Sequence, residues 1–243
     1  MIVAVIGKGG VGKTTVTALL LRRLLDAGAT PVLAVDADPS NCLGPTLGLA
    51  VSRTLADLRD DLREGSDDRP PSMAKSDWLA LQAEDAVVEQ AGFDLLTMGH
   101  SEGPGCYCFF NNLIRNHLDR LARGYRHVLV DCEAGLEHLS RRTSGRPDRL
   151  VCVANGSRMA METIRRALAL YQELNEGLPK VDLVLNGLDA GQWTPDAGST
   201  FSSVIRVPWD AAVAEFDAAG RSLLELDTSS IALGALSAWE ACA

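Results

Sequence analysis

Three groups of residues in this chain have the types and spacing to do chemistry. The first is the run Gly7-Lys8-Gly9-Gly10-Val11-Gly12-Lys13-Thr14-Thr15, which satisfies G-x-x-x-x-G-K-[ST] between Gly7 and Thr14. Glycines in such a loop let backbone N–H groups converge on phosphate oxygens, and a helix starting there adds a favourable dipole. Lys13 is then set to reach the β- and γ-phosphates, and the Thr14 hydroxyl to ligate Mg²⁺. The second group is acidic: Asp36 and Asp38 in VDADP, and Asp131 in HVLVDCEAG, each at the end of an apolar run. Open parallel sheets bind ligands at the carboxyl ends of their strands, and a carboxylate there can take a hydrogen bond or proton from a water. The third group is Cys106 and Cys108 in GPGCYCFFNN. Thiolates suit Ni²⁺, Zn²⁺ or Cu(I), but two sulfurs supply only half of a tetrahedral site.

Positioning these groups calls for strands crossed over by helices, and the chain reads that way. Short apolar runs at Ile2–Ile6, Pro31–Val35, Phe93–Met98, His127–Val130, Arg149–Ala154, Val181–Asn186 and Val204–Val207 alternate with amphipathic segments. Helices are expected to begin near Lys13, Asn111, Arg158 and Asp210, with a last one over Thr228–Cys242. The expected fold is one α/β P-loop NTPase domain over 1–243, with a mostly parallel central sheet and helices on both faces. The polar, Pro-rich stretch Glu64–Ser76 reads as an insertion loop, and residues 144–149 as a surface connection.

The start, MIVAVIGKGG, has neither a basic n-region nor a small-residue cleavage site, and no run is long and apolar enough for a bilayer. The expected location is therefore cytoplasmic, where most of the six cysteines would be free thiols. A formal net charge of −9 argues against nucleic acid and anionic membranes as partners.

The pair Lys8 and Lys13 in GKGGVGKTT resembles the deviant Walker A motif of MinD/ParA-like ATPases. The resemblance implies a homodimer in which Lys8 reaches the partner's nucleotide, comparable to an arginine finger. It also implies that Gly9 to Thr15 cradle the phosphates, that Asp36 lies near Mg²⁺, that Asp38 orients the attacking water, and that Asp131 serves Mg²⁺ through water. Relatives often carry Pro or Thr after that last aspartate, whereas this chain has Cys132 and Glu133, which leaves the role of Glu133 open.

Asn186 ends a strand with an amide that has both a donor and an acceptor for an adenine edge. Pro208 and Trp209 stand where relatives place contacts near the base, so the resemblance favours ATP over GTP. No N/T-K-x-D tetrad of the guanine-specific kind occurs. The stretch MGHSEGPGCYCFFNNLIR, together with DCEAGLEHLSRR, looks like that of CooC-type accessory ATPases, which serve nickel insertion into carbon-monoxide dehydrogenase. In that family each of two subunits offers a C-x-C pair.

The implied activity is ATP hydrolysis coupled to delivery of Ni²⁺, or Zn²⁺, to a client nickel enzyme such as carbon-monoxide dehydrogenase. The dimer would be promoted by ATP, by metal, or by both. Two alternatives stand beside it. An iron–sulfur carrier or reductase component also uses four cysteines, but usually with C-x-x-C or widely spaced single residues. A spatial regulator of the MinD or ParA type would dock through a basic amphipathic helix, whereas this sequence ends SSIALGALSAWEACA, without Lys or Arg. Cys132 and Cys152 read as core residues, Cys42 and Cys242 as thiols without a partner at ligand spacing, and His100, His117, His127 and His138 as structural or surface histidines.

Overall fold

The computed structural model describes residues 1–64, 70, 72–99, 121–133, 146–175, 177–188 and 200–239. Within them eight strands form one sheet: β1 (Ile2–Gly7), β2 (Val32–Ala37), β3 (Val87–Gln90), β4 (Phe93–Thr97), β5 (His127–Cys132), β6 (Arg149–Ala154), β7 (Lys180–Leu188) and β8 (Ser203–Pro208). Their spatial order is β3-β4-β2-β5-β1-β6-β7-β8, and every neighbouring pair is parallel except β3 with β4. All six residues of β5 and of β6 are buried. Parallel strands covered on both faces read as continuous apolar runs, which is why these two were plain in the sequence.

The helices are α1 (Lys13–Asp26), α2 (Leu43–Thr46), α3 (Leu55–Glu64), α4 (Lys75–Asp85), α5 (Arg158–Leu174), α6 (Ala211–Ala218) and α7 (Ile231–Ala235). Helix α1 packs against β1, β2 and β5, and α5 against β1 and β6. The β1-to-β2 and β6-to-β7 crossovers run in opposite directions across the sheet. Right-handed connections therefore put α1 and α5 on opposite faces, and open a crevice at the carboxyl end of β1.

Several expectations change. Strand β4 falls where expected, but its edge partner β3 and helices α2 to α4 were not anticipated. The expected loop over Glu64–Ser76 is bounded by helix on both sides, because α3 runs through Glu64 and α4 begins at Lys75. The last helix is one turn, α7, followed by a 3-10 turn at Leu236–Ala238. The expected helix near Asn111, the thiols Cys106, Cys108 and Cys242, and His100, His117 and His138 lie outside the described residues.

The amino ends of β6, β7 and β8 are tied together by a buried charge cluster. The Arg149 guanidinium pairs with Asp182, which is fully buried and also accepts Ser203 Oγ at 2.8 Å and Trp239 Nε1 at 3.2 Å. Arg149 lies over the Trp239 ring, 5.4 Å from its centre. A buried charge persists only when its hydrogen-bonding capacity is met, and here the C-terminal segment supplies part of it.

Candidate active site

The loop from Gly7 to Gly12 leaves β1 at the crevice. A Cβ on Gly7 would stand 2.3 Å from the Val153 carbonyl oxygen, so only glycine lets the loop lie this close to β6. Gly12 has φ 87° and precedes α1 without any side-chain cap. That left-handed conformation strongly favours glycine, and the first amides of α1 are left facing the loop. Lys8, Gly9 and Gly10 are exposed, Val11 and Lys13 are buried, and Thr14 and Thr15 are half-buried.

Strand pairing brings the carboxylates together. Asp36 on β2 and Asp131 on β5 are register partners, and both are fully buried. Asp131 Oδ2 accepts the Thr14 hydroxyl at 2.6 Å, and its Oδ1 accepts Thr17 Oγ1 at 3.3 Å. Burial pushes the Asp131 carboxyl up to about 7; Thr14 and Lys13 oppose the rise, while the charge of Asp36 adds to it. Burial likewise raises Asp36 to about 6, against hydrogen bonds from the Leu43 and Asp38 amides at 2.9 and 3.2 Å. Two buried carboxylates and a threonine hydroxyl form a hard, oxygen-only donor set beside a phosphate loop. That chemistry fits Mg²⁺, with Thr14 as ligand and Asp36 and Asp131 around it.

Asp38 is half-buried in a turn, and its Oδ1 accepts the Ser40 amide at 2.9 Å. The next residues carry Asn41 at φ 50°, a left-handed position that asparagine tolerates. Cys42 is an exposed free thiol, whereas Cys132 and Cys152 are fully buried, as core cysteines should be. Glu133 follows β5 directly.

A second part of the site lies beyond the loop. Thr15, Asn186, Pro208, Trp209 and Asp210 line a cleft of about 170 Å³, several times the room one water needs. The sequence-derived base residues are thus brought together, with one difference. Asn186 Nδ2 donates to the Val11 carbonyl at 3.0 Å, so the amide's donor side holds the phosphate loop.

Thr17 and Asp210 were missed. Thr17 falls one turn after Thr14 on the same helix, a spacing that could have flagged it. Asp210 precedes α6 as an N-cap, and burial alone would raise its carboxyl. Hydrogen bonds from Ser230 and from the Ala232, Ala212 and Ile231 amides hold it below the usual range instead. No helix among the described residues is long and apolar enough to cross a membrane.

Comparison with known proteins agrees with this geometry. The CobQ/CobB/MinD/ParA nucleotide binding domain matches residues 2–223. An uncharacterized ATP-binding protein of Methanocaldococcus jannaschii is 37% identical over 93% of this chain and 91% of its own length. The carbon monoxide dehydrogenase accessory protein CooC of Rhodospirillum rubrum is 32% identical over 93% and 90%. Among solved structures, a ParA family ATPase from Chlorobium tepidum superposes with a TM-score of 0.70 at 23% identity, covering 98% of this chain and 96% of that one.

Proposed function

The chain belongs to the CobQ/CobB/MinD/ParA family and is a P-loop ATPase; from that premise we propose that its ATP hydrolysis serves metal delivery. Two subunits would each contribute Cys106 and Cys108 to carry Ni²⁺ to a client nickel enzyme such as carbon-monoxide dehydrogenase. The likeness to the Rhodospirillum rubrum accessory protein over nearly the whole chain supports the client class.

One observation carries the coupling. The backbone that leads to the thiols leaves the sheet beside a nucleotide-site carboxylate: Met98 N donates to the Asp36 carbonyl at 2.8 Å. Its own carbonyl accepts Ala56 N at 2.9 Å, and a Cβ on Gly99 would stand 2.3 Å from Thr54 Oγ1. The exit is held on both sides, so a shift at Asp36 is passed to the segment that begins there.

In this reading the amides of Gly9 to Thr15 hold the phosphates and Lys13 neutralises charge on the β- and γ-groups. Thr14, with Asp36 and Asp131 beside it, would hold Mg²⁺, which would supply positive charge to the same phosphates. Asp38, whose Oδ1 accepts the Ser40 amide, orients the attacking water and takes its proton as the water oxygen bonds to the γ-phosphorus and the bridging P–O bond breaks to release ADP. Exposed Lys8 extends to the partner's nucleotide. The base lies in the cleft of Asn186, Pro208 and Trp209.

The test is metal content and oligomeric state after anaerobic purification and Ni²⁺ loading. About one ion per dimer is the tetrathiolate stoichiometry, and Cys106→Ala/Cys108→Ala should lose it. Zn²⁺ competition then measures selectivity. Brown protein containing iron and sulfide would assign the dimer to iron–sulfur work. Ni²⁺ held by a monomer would overturn the shared site.

A further inference from the structure

One carboxylate serves both walls of the base cleft. Asp210 Oδ1 accepts the Ala212 amide at 2.9 Å, at the start of α6. Its Oδ2 accepts Ser230 Oγ at 2.7 Å and the Ala232 amide at 3.1 Å, at the start of α7. Val213 and Ala214 of α6 line the cleft on one side and Ala232 of α7 lines it on another. The separation of those two helix starts is therefore set through a single side chain.

Trp209, at the cleft rim, is 58% exposed and has little packing of its own to orient it. Its backbone is held by the Leu188 carbonyl on one side, with N···O 3.3 Å, and by the Asp210 cap on the other. The segment after α7 is pinned independently at Trp239 by Asp182. The Asp210 end is thus the one that borders the cleft.

We propose that Asp210 is a positioning residue for the nucleotide base: by tying α6 to α7 it fixes the width of the cleft and the setting of Trp209. This rests on the reading of that cleft as the base site. Asp210 does not touch the phosphates; it acts on the half of the ligand that the loop from Gly7 to Gly12 does not hold. Its loss selectively weakens binding of a nucleoside triphosphate and spares a ligand that is phosphate alone.

The experiment compares the affinities of MgATP and magnesium tripolyphosphate by calorimetry, well below the melting temperature. Asp210→Ala removes the hydrogen bonds from Ser230 and from the amides at both helix starts to a charged group, and should weaken ATP on the order of tenfold while tripolyphosphate changes by less than about twofold. Asp210→Asn keeps one acceptor and should fall between wild type and alanine. Ser230→Ala removes one donor and keeps the carboxylate; a loss of about threefold for ATP alone is expected, and it serves as the test if Asp210→Ala does not fold.

Equal weakening of both ligands in Asp210→Ala and Ser230→Ala would reduce Asp210 to a fold element and overturn the proposal. Trp209→Ala separates the two levels of inference. If it leaves the ratio of affinities unchanged, the base lies elsewhere and the cleft reading falls. If it lowers the ratio while Asp210→Ala does not, the cleft reading stands and only the role of Asp210 falls.

Discussion

Replacing Asp131 by asparagine should stabilise the nucleotide-free protein at pH 8. The carboxylate is fully buried and its folded pKa is pushed up to about 7, mainly by loss of hydration. A carboxyl whose pKa is raised on folding binds its proton more tightly in the folded state. Its contribution is most favourable below the unfolded value near 4 and is lost as pH rises towards 7. From 3.8 to about 7 the ionised form carries a penalty on the order of 4 kcal/mol at pH 8. Asparagine removes the charge but retains an oxygen for the Thr14 hydroxyl, and its amide can donate to Thr17 Oγ1 in place of the 3.3 Å contact. Allowing for one imperfect hydrogen bond, roughly 1–3 kcal/mol of added stability is expected. For a chain of this size that raises the melting temperature by about 2–12 °C. Urea denaturation in EDTA, at pH 8 and at pH 5, measures it. At pH 5 Asp131 is protonated in the folded state but ionised in the unfolded one, so the penalty falls by roughly 2–3 kcal/mol and the advantage of asparagine should shrink by that amount. Saturating MgATP should stabilise wild type and lose most of that effect on the variant. A variant less stable than wild type at pH 8, or equally shifted at both pH values, would refute the reasoning.

Two further outcomes follow from buried polar groups at the opposite end of the sheet. Asp182→Ala removes the buried counter-charge of Arg149 and should cost about 3–5 kcal/mol, read as a fall in melting temperature of roughly 6–20 °C, with ATP affinity at low temperature unchanged. His127 is buried with both ring nitrogens unpartnered, and burial lowers its pKa below 6.5. Its contribution is full above pH 6.5 and is lost as pH falls below that value, so His127→Leu should flatten the acid side of a stability-against-pH curve.

The phosphate loop was legible because its demands are local. Gly12 must be glycine for its own φ, and its neighbours in sequence are its neighbours in space. Asp36 and Asp131 were nameable as candidates, but their adjacency depends on β2 pairing with β5, which residue spacing does not encode. Helix α3 did leave a sign: Thr54 and Asp57 cap each other reciprocally, with Thr54 N on Asp57 Oδ2 at 2.7 Å and Asp57 N on Thr54 Oγ1 at 3.2 Å. The polar, Pro-rich run after it drew that whole region towards a loop reading. The hairpin was also marked, by Gly92 at φ 88° between VVEQ and FDLLT, but four residues of half-exposed strand gave little periodicity to read. Asp210 marked only a helix start in the sequence, because its second partner, Ser230, belongs to a segment whose return to the sheet no local pattern announces.

The two ends of the sheet differ in what they do for the fold. At the amino end, Asp182 is met by Arg149, Ser203 and Trp239, and the Tyr125 hydroxyl donates to Asp94. Asp182 and Asp94 thus have their partners within the protein. At the carboxyl end, Asp36 and Asp131 are buried side by side with raised pKa values, so their internal partners do not fully offset the cost of burial. Charge held in that state favours any cation-bearing ligand that relieves it, and the free energy released on binding includes the relief of that penalty. Asp36 is also the residue whose carboxylate gathers the Asp38 and Leu43 amides and whose carbonyl takes Met98 N. Asp36 thus stands where the buried charge, the turn at Asp38 and the backbone at Met98 meet. In the proposed reading, the ligand that relieves its charge would act on both from that one point.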